Sequence, residues 1–497
     1  MDQQILATKK SRFIVRPITS LGGQNRSKSG MLKNFRVTDS QCQTLLVGMD
    51  TLLLLAGLLI AWQLAQLSTN THIAISSLSL RTLELFWVGM LLGTWLLFGW
   101  LTDLYDVRSA HARGLSTARI VIVDLLSVLA TVLLAFFYKI VYPGAFLLFY
   151  VGIGLLLVIA WRFAFAALSR TSIFIRKVVI LGIGASARMV ANLLDQGHGL
   201  HYEVSGYVSD IPNTEPKMFD GLPVWHATTS LFDLVQDLRV DTIIAAIEDE
   251  PDPALYTELI ACQAYGINVV SVPAIYDKLC QKVPVEYIHP LWLLEAIQSS
   301  SSTMRYVCKR TLDLTITLFA LPWFLLVFPL IAIAIKLNSS GPILYRQERS
   351  GLGGKAFQIL KFRTMFIDAE KDGKARWAQK DDPRITQVGK FLRKSRLDEL
   401  PQFINILRGD MSLIGPRPER PEFVAELERE LPYYSARLLV PPGLTGWAQI
   451  KYTYGNSVED ALIKLEYDVY YVRHWSVWMD IYILFQTVSV VLSAKGT

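Results

Sequence analysis

Four apolar stretches before residue 170 decide what this chain can fold into. They run over roughly 45–66, 84–101, 119–137 and 144–165, and each approaches the ~20 residues that a helix needs to cross a bilayer. The 52% hydrophobic share and mean hydropathy of +0.33 agree with membrane segments. The basic residues alternate between the flanks. Lys9, Lys10, Arg12, Arg16, Arg26, Lys28, Lys33 and Arg36 precede the first stretch, and the loop at 67–80 has no Lys or Arg. Arg108 and Arg113 lie in the next loop, only Lys139 in the one after, and Arg162, Arg170, Arg176 and Lys177 close the fourth. This pattern places both the N-terminus and residue 170 in the cytoplasm. It predicts a basic cytoplasmic segment over 1–43 and a four-helix transmembrane bundle over 44–170. The first apolar run is too long for the core of a secretory signal, so none is expected.

A fifth apolar stretch, about Leu314 to Ile335, contains Pro322 and Pro329. Arg305, Lys309 and Arg310 precede it, and Lys336, Arg346, Arg349 and Lys355 follow it. Both flanks favour the cytoplasm, which a straight crossing would violate at one end. A helix broken at a proline can return to its own side if the freed backbone groups find partners. A re-entrant hairpin over about 312–336 with its break at Pro329 is expected. The apolar tail at about 475–493 carries Trp475, Trp478, Asp480 and Tyr482, which fit an interfacial helix better than a span.

Between the membrane parts, residues 177–290 alternate apolar strand runs with helical patterns. The strand runs are KVVIL from 177, VSGYVSD at 204–210, DTIIAAI at 241–247 and INVVSVP at 267–273. This predicts a Rossmann-like domain with a small parallel sheet. Gly182, Gly184 and Ala187 stand where a phosphate-binding GxGxxA turn would be, with Asp210 closing the second strand. The alternative is a glycine turn chosen only for tight strand-to-helix packing. No Tyr-x-x-x-Lys pair for redox chemistry is visible in this domain.

The four cysteines, Cys42, Cys262, Cys280 and Cys308, are scattered, which argues against zinc or a disulfide framework and suits a reducing compartment. From Ile343 to Arg420 there are 17 Lys and Arg against 10 Asp and Glu, an excess larger than the +6 of the whole chain. Few aromatics accompany them, so base stacking by nucleic acid is not favoured. A basic block beside a membrane segment suits lipid headgroups and phosphates.

The order of strings in this half is distinctive: KRTLD (309–313), SSGPILYRQERSGLGGKAFQILKFRTM (339–365), DPRITQVGKFLRKSRLDELPQFINILRGDMSLIGPRP (382–418), PPGLTGWAQI (441–450) and KLEYDVYYVRHWS (464–476). Together they resemble the bacterial polyprenyl-phosphate sugar-1-phosphate transferases of the monotopic, single-re-entrant-helix type, over 305–497. With the N-terminal spans and middle domain, the chain is similar to the large subgroup that initiates exopolysaccharide synthesis. The resemblance implies a mostly helical catalytic domain that faces the cytoplasm from the bacterial inner membrane. Its expected activity is transfer of a sugar-1-phosphate from a nucleotide sugar, a UDP-hexose at family level, to undecaprenyl phosphate. Asp398 would be the nucleophile on the β-phosphate and Glu399 a ligand of Mg²⁺, with Asp398 beside it at the metal.

Arg393, Arg417, Lys361 and Arg363 would contact substrate phosphates, the planar guanidinium fork of arginine being suited to them. Asp468 matches a family position and would join the polar site or serve as a salt-bridge partner. Pro401 marks the start of a helix whose positive end would favour phosphate near the acids. Two departures stand out. The Asn-Gly-Arg string that many relatives carry after GWAQ is missing from QIKYTYGNSVED (449–460), and the hairpin break reads Phe328-Pro329 where Ser-Pro is common. The first withholds the identity of the sugar. A homo-oligomer is compatible with this reading. Two other classes compete with it: a nucleotide-binding membrane sensor or scaffold, for which Asp398 would be dispensable, and a nucleotide-sugar dehydratase or epimerase, which the absent Tyr/Lys pair disfavours.

Overall fold

Apolar segments longer than any soluble core needs become long helices, and they lead the chain. The structure is a computed structural model that describes residues 39–492 apart from 70–77, 108–109, 111–112, 138–143, 170, 172–173, 199–201, 210–217, 227–229, 248–252, 289, 291–292, 295–302, 368–381 and 453–456. The basic segment before residue 39, Lys139 and the expected strand end at Asp210 lie outside the described residues. The chain divides into two compact units, Met1–Val272 and Pro273–Thr497.

The first unit opens with helices α1 (Asp39–Thr69), α2 (Leu78–Leu101), α3 (Arg113–Phe137) and α4 (Gly144–Leu168). Segments Asp39–Ala65, Ser116–Leu134 and Phe146–Leu168 are long and apolar enough to cross a membrane, and in α2 the apolar stretch described is the shorter Val88–Leu101. Leu54, Trp95, Ile120, Tyr150 and Phe165 fill the bundle interior, yet Leu59, Leu125, Leu148 and Leu156 point outward and are exposed. Helices that are apolar on every side need lipid around them.

A six-stranded sheet follows, built from β1 (Arg176–Leu181), β2 (Tyr202–Ser209), β3 (Met218–Phe219), β4 (Leu222–His226), β5 (Thr242–Ala245) and β6 (Asn268–Ser271). Its order is β3-β4-β2-β1-β5-β6, all parallel except the antiparallel edge strand β3. Helices α5 (Ala185–Leu193), α6 (Leu231–Asp237) and α7 (Pro253–Ala264) connect it. Val178 to Leu181 are fully buried, as a central parallel strand requires. The Rossmann-like expectation holds at the level of a parallel sheet, but β3 and β4 went unforeseen. They form a hairpin on Asp220-Gly221, both residues in the left-handed region, a turn that Asp-Gly announces.

The expected boundary at 290 moves to 272. From Pro273 onward the chain packs into the second unit, where Val283, Val285 and Ile288 share a core with Leu427, Leu465 and Val469. Lys282 pairs with Glu466 at 2.6 Å. The reason is local: β6 ends the sheet as its outer strand, and helix α8 (Val272–Cys280) begins at once.

Helix α9 (Thr303–Asn338) is the long element of the second unit and continues through both Pro322 and Pro329. A break of the helix at Pro329 was expected; none interrupts the 36 residues. Each proline removes one amide donor, but aromatic packing holds the segment: Phe324 lies 5.5 Å from Phe328 and 6.1 Å from Phe403, and Phe328 lies 5.3 Å from Phe362. One face buries Lys309, Asp313, Thr317, Phe324, Ile331 and Ile335, while Phe319, Trp323, Leu326, Leu330 and Leu337 are exposed on the other side.

After it come the antiparallel ribbon of β7 (Leu344–Ser350) and β8 (Ala356–Phe362), helices α10 (Gln387–Lys394) and α11 (Gln402–Arg408), β9 (Ser412–Ile414), α12 (Pro421–Glu430), β10 (Gly443–Thr445), α13 (Trp447–Lys451), α14 (Val458–His474) and α15 (Val477–Leu492). Strands β9 and β10 pair in parallel. The tail helix α15 packs into this unit. Ile483 and Tyr482 are buried in the core of this unit, and Asp480, fully buried, meets Lys309 of α9 at 2.7 Å.

Candidate active site

The RLDEL string forms one tight turn. Arg396 adopts a left-handed conformation, and Leu397–Glu399 make a single 3-10 turn between α10 and α11. This sets two adjacent carboxylates in different surroundings. Glu399 is buried, and its Oε1 accepts from Arg417 at 2.6 Å and from Lys361 at 3.1 Å. Asp398 is half-buried and makes no hydrogen bond or ion pair among the described residues.

Three elements deliver the cations. Lys361 stands on β8, with its neighbour Phe362 turned into the core. Asn405 of α11 clamps this strand, accepting from the Leu360 amide at 3.0 Å and donating to the Gln358 carbonyl at 2.8 Å. Arg417 lies in the Gly415-Pro416-Arg417-Pro418 turn just after β9. That turn is pinned by backbone: a Cβ on Gly415 would meet the Pro441 carbonyl, and one on Gly443 would meet the Gly415 amide. Arg437 donates to the Arg417 carbonyl at 2.9 Å, to Asp468 at 2.9 Å and to the Tyr434 hydroxyl at 2.7 Å. Arg393 donates through Nε to Thr364 Oγ1 at 2.9 Å and bears electrostatically on Asp398.

The charges follow from these contacts. Burial alone would raise the Glu399 carboxyl, but Arg417 and Lys361 overcome it and hold it well below the usual range. Burial and then Glu399 raise Asp398 above its ordinary value, against the pull of Lys361, Arg393 and Arg417. Burial lowers Lys361 despite Glu399, and Glu399 raises Arg417. Asp468 is pushed up to about 6 by burial, which Arg437 only partly offsets.

The expected phosphate contacts therefore separate. Lys361, Arg393 and Arg417 gather at the dyad. Arg363 turns away: its guanidinium donates to the Ser339 carbonyl at 2.8 Å and to the Ser340 carbonyl, closing the end of α9. Asp468, at 1% exposure, reaches the site only through Arg437. Helix α11 does start after Pro401, but at seven residues it is too short for its end to matter much. Pro329 lies within α9, and Gly182 and Gly184 belong to the first unit. Gly182 has φ +117°, and a Cβ there would strike the Ala246 carbonyl, so close packing already explains it; Gly184 precedes α5 in extended conformation.

Asn405 and Arg437 escaped the sequence reading, although Asn405 is a lone polar residue in an apolar run (FINIL), Arg437 is the one charge in YYSARLLV, and each is buried. Lys309, Arg310 and Asp313 also gain roles. Arg310 donates to the Ile406 and Leu407 carbonyls at the end of α11, and Asp313 accepts from Ser412 Oγ and the Leu413 amide at 3.0 and 3.1 Å.

Mg²⁺ commonly takes one or two carboxylates and leaves the rest of its shell to phosphates and water. The site offers Asp398 and the second oxygen of Glu399, which Arg396 approaches at 4.0 Å. No cluster of three or more metal-binding side chains occurs among the described residues. The donor set fits an ion shared with a diphosphate rather than one caged by protein.

Residues 304–494 match the family model described as bacterial sugar transferase, and residues 100–273 match one described as CoA-binding domain. The chain is similar to a UDP-N-acetylgalactosamine-undecaprenyl-phosphate N-acetylgalactosaminephosphotransferase of Aeromonas hydrophila, 38% identical over 52% of this chain and 60% of the relative. It is also similar to an undecaprenyl-phosphate glucose phosphotransferase of Komagataeibacter xylinus, 34% identical over 63% of this chain and 58% of the relative. A UDP-glucose:undecaprenyl-phosphate glucose-1-phosphate transferase of Caulobacter vibrioides is 43% identical over 38% of this chain and 71% of the relative. The chain thus spans about 60% of the length of the first two curated relatives.

Proposed function

The chain belongs to the bacterial sugar transferase family, and on that premise we propose that it moves a sugar-1-phosphate from a nucleoside-diphosphate sugar to a polyprenyl phosphate. In this reading the donor is a UDP-hexose, the acceptor is undecaprenyl phosphate and UMP leaves. The product opens exopolysaccharide or capsule synthesis at the cytoplasmic face of the bacterial inner membrane.

The observation that carries the proposal is the unequal state of two neighbouring carboxylates. Glu399 is locked between Arg417 and Lys361, whereas Asp398 has no cation in direct contact among the described residues. A nucleophile must keep a free lone pair, and a charge-neutralising partner need not. Asp398 would attack the β-phosphorus, forming a carboxylate–phosphorus bond as the bond to UMP breaks and UMP departs with the electron pair. An oxygen of polyprenyl phosphate would then attack the same phosphorus and return Asp398 as carboxylate. Splitting one barrier into two is the logic of covalent catalysis.

Lys361, Arg393, Arg396 and Arg417 outnumber the two acids, so the side chains make the site net positive, which favours two anions that otherwise repel. Arg393, held at Nε by Thr364, keeps its two terminal nitrogens available for a phosphate and is near enough to Asp398 for the two charges to interact. Mg²⁺, held by Glu399 and Asp398, would add neutralisation of the diphosphate.

A re-entrant course for α9 would need the unbroken helix to bend at its prolines, and the packing of that helix favours it. Residues from Lys309 to Ile335 bury one face of α9 against this same unit, whereas a crossing helix would carry its far half away. Basic residues at both ends favour the cytoplasm. The test is UMP release from a panel of UDP-sugars with undecaprenyl phosphate and Mg²⁺, together with capture of a phosphosugar adduct on the peptide containing Asp398. Asp398→Asn is expected to lose turnover by at least about 10³-fold. Turnover by that variant near the parent rate would sink the covalent route.

A further inference from the structure

The ribbon of β7 and β8 turns one of its faces to the dyad. Side chains alternate along a strand, and residues directly opposite each other in an antiparallel pair share a face, about 5 Å apart. Tyr345 stands opposite Lys361, which reaches Glu399 at 3.1 Å. Gln347 and then Arg349 follow Tyr345 on that face, ~7 Å apart at each step of two residues. Arg349 confirms the direction. Its guanidinium donates to the Pro418 carbonyl at 3.1 Å and lies 3.5 Å from Glu419, just past Arg417. The backbone agrees, since the Ser350 amide donates to the Glu419 carbonyl at 2.9 Å. The face therefore runs from one cation on Glu399, Lys361, to the turn that carries the other, Arg417.

The phosphate chemistry leaves Tyr345 and Gln347 without a task. Gln347 Oε1 accepts from Arg349 at 2.7 Å. Arginine has donors only, so this bond fixes which way the amide points. The Nε2 group, with its two donors, is turned away from Arg349 and meets no acceptor among the described residues. Gln347 is half-buried, so a ligand can reach it. A carboxylate would hold Arg349 more strongly, through a charge-assisted bond; the amide gives up that strength and adds a fixed donor. Tyr345 is 39% exposed and offers aromatic surface on the same face.

We propose that this face of β7 holds the nucleoside half of the donor. Tyr345 stacks on the base, as aromatic rings do with any base, and Gln347 Nε2 donates to a carbonyl oxygen of it. Arg349 is the positioning residue: it fixes the Gln347 amide and ties β7 to the turn that carries Arg417. The base so recognised is uracil and not cytosine, because uracil presents an acceptor at the edge where cytosine presents an amino donor. The inference deepens the transferase reading and rests on it. With the β-phosphate at Asp398, the rest of the nucleotide extends past Glu399, whose two cations border this face.

The test is equilibrium dialysis of labelled UMP and CMP against the full chain in lipid nanodiscs, run beside UMP release from UDP-sugars. The dialysis needs no turnover. The parent should bind UMP about tenfold more tightly than CMP, the weight of one hydrogen bond. Gln347→Glu still accepts from Arg349 but replaces the free donor with an acceptor, so the preference should reverse in favour of CMP. Should that variant not fold, Gln347→Ala should leave the two nucleotides equal. Arg349→Ala frees the amide to turn and should also bring the two affinities together, whereas loss of a purely structural prop would weaken both and keep their ratio. Tyr345→Ala should weaken both alike, by roughly tenfold. A parent indifferent to the base, or Gln347 variants that keep the parent's preference, overturns the proposal; UMP release by the same parent would then leave the transferase reading standing. A parent that neither binds nor releases UMP brings down both.

Discussion

The α/β domain and the catalytic unit are held together by opposite means. In the first, a six-stranded sheet buries apolar strands, and Val179, Leu181, Val208 and Ile243 form its centre. In the second, two ribbons of two strands each are too small to organise a domain. Buried charges link the pieces there: Lys309 with Asp480, Arg437 with Asp468, and Arg417 with Glu399. An apolar sheet core yields gradually to truncation. A charge network fails abruptly, because removing one member strands the other. The region proposed to bind anions is built from cations already held in place by their partners.

That contrast can be broken by substitution. The largest stability effect should come from Arg437→Ala, which leaves Asp468 buried and uncompensated beneath Arg417. A loss of about 3–5 kcal/mol is expected, read as a lowered unfolding midpoint, whereas Ile243→Val in the sheet should cost only about 0.5–1.5 kcal/mol. Equal costs would erase the distinction. Next, Gly182→Ala should destabilise by about 1–3 kcal/mol through its left-handed conformation and the Ala246 carbonyl, while Gly184→Ala should cost much less. If both leave the midpoint alone, the glycine turn is kept for a ligand rather than for packing.

The smallest effect is a shift in pH dependence. In the proposed mechanism Asp398 must be ionised to attack, and its carboxyl sits above the ordinary aspartate value of 3.8. Turnover should therefore fall as pH drops through that raised value, not through the depressed one of Glu399. Arg393→Ala removes a cation that favours the ionised form, so the acid limb of kcat/KM should move to higher pH. A limb that stays put would mean that another group governs it.

Periodicity made the long helices and the four central strands legible, because each buries or exposes residues at a regular spacing. The hairpin of β3 and β4 was too short to show a period, although its Asp-Gly turn was visible. The same limit explains the active site. Asp398, Glu399 and the basic block stood out in the strings, but the sequence cannot say which arginine faces the acids. Arg363 and Lys361 are two residues apart, and yet one closes α9 while the other holds Glu399. Asn405 and Arg437 act by joining segments distant in sequence, 47 residues apart for Asn405 and Gln358, so no local pattern announces them. The boundary at 272 was hidden because Val283 and Val285 read equally well as the end of one domain or the start of the next.

The contact of Gly415 with Gly443 gives those strings a different meaning. GPRP and PPGLTG are memorable because two backbones touch where no side chain fits, and only one of their residues, Arg417, reaches an acid of the dyad. A constraint of that kind is inherited with the fold and is indifferent to what the fold does. A descendant that lost the reaction would still carry both strings, as a building keeps its keystone after its trade has moved out. They certify lineage; a claim about the reaction has to be checked at Asp398 and Glu399.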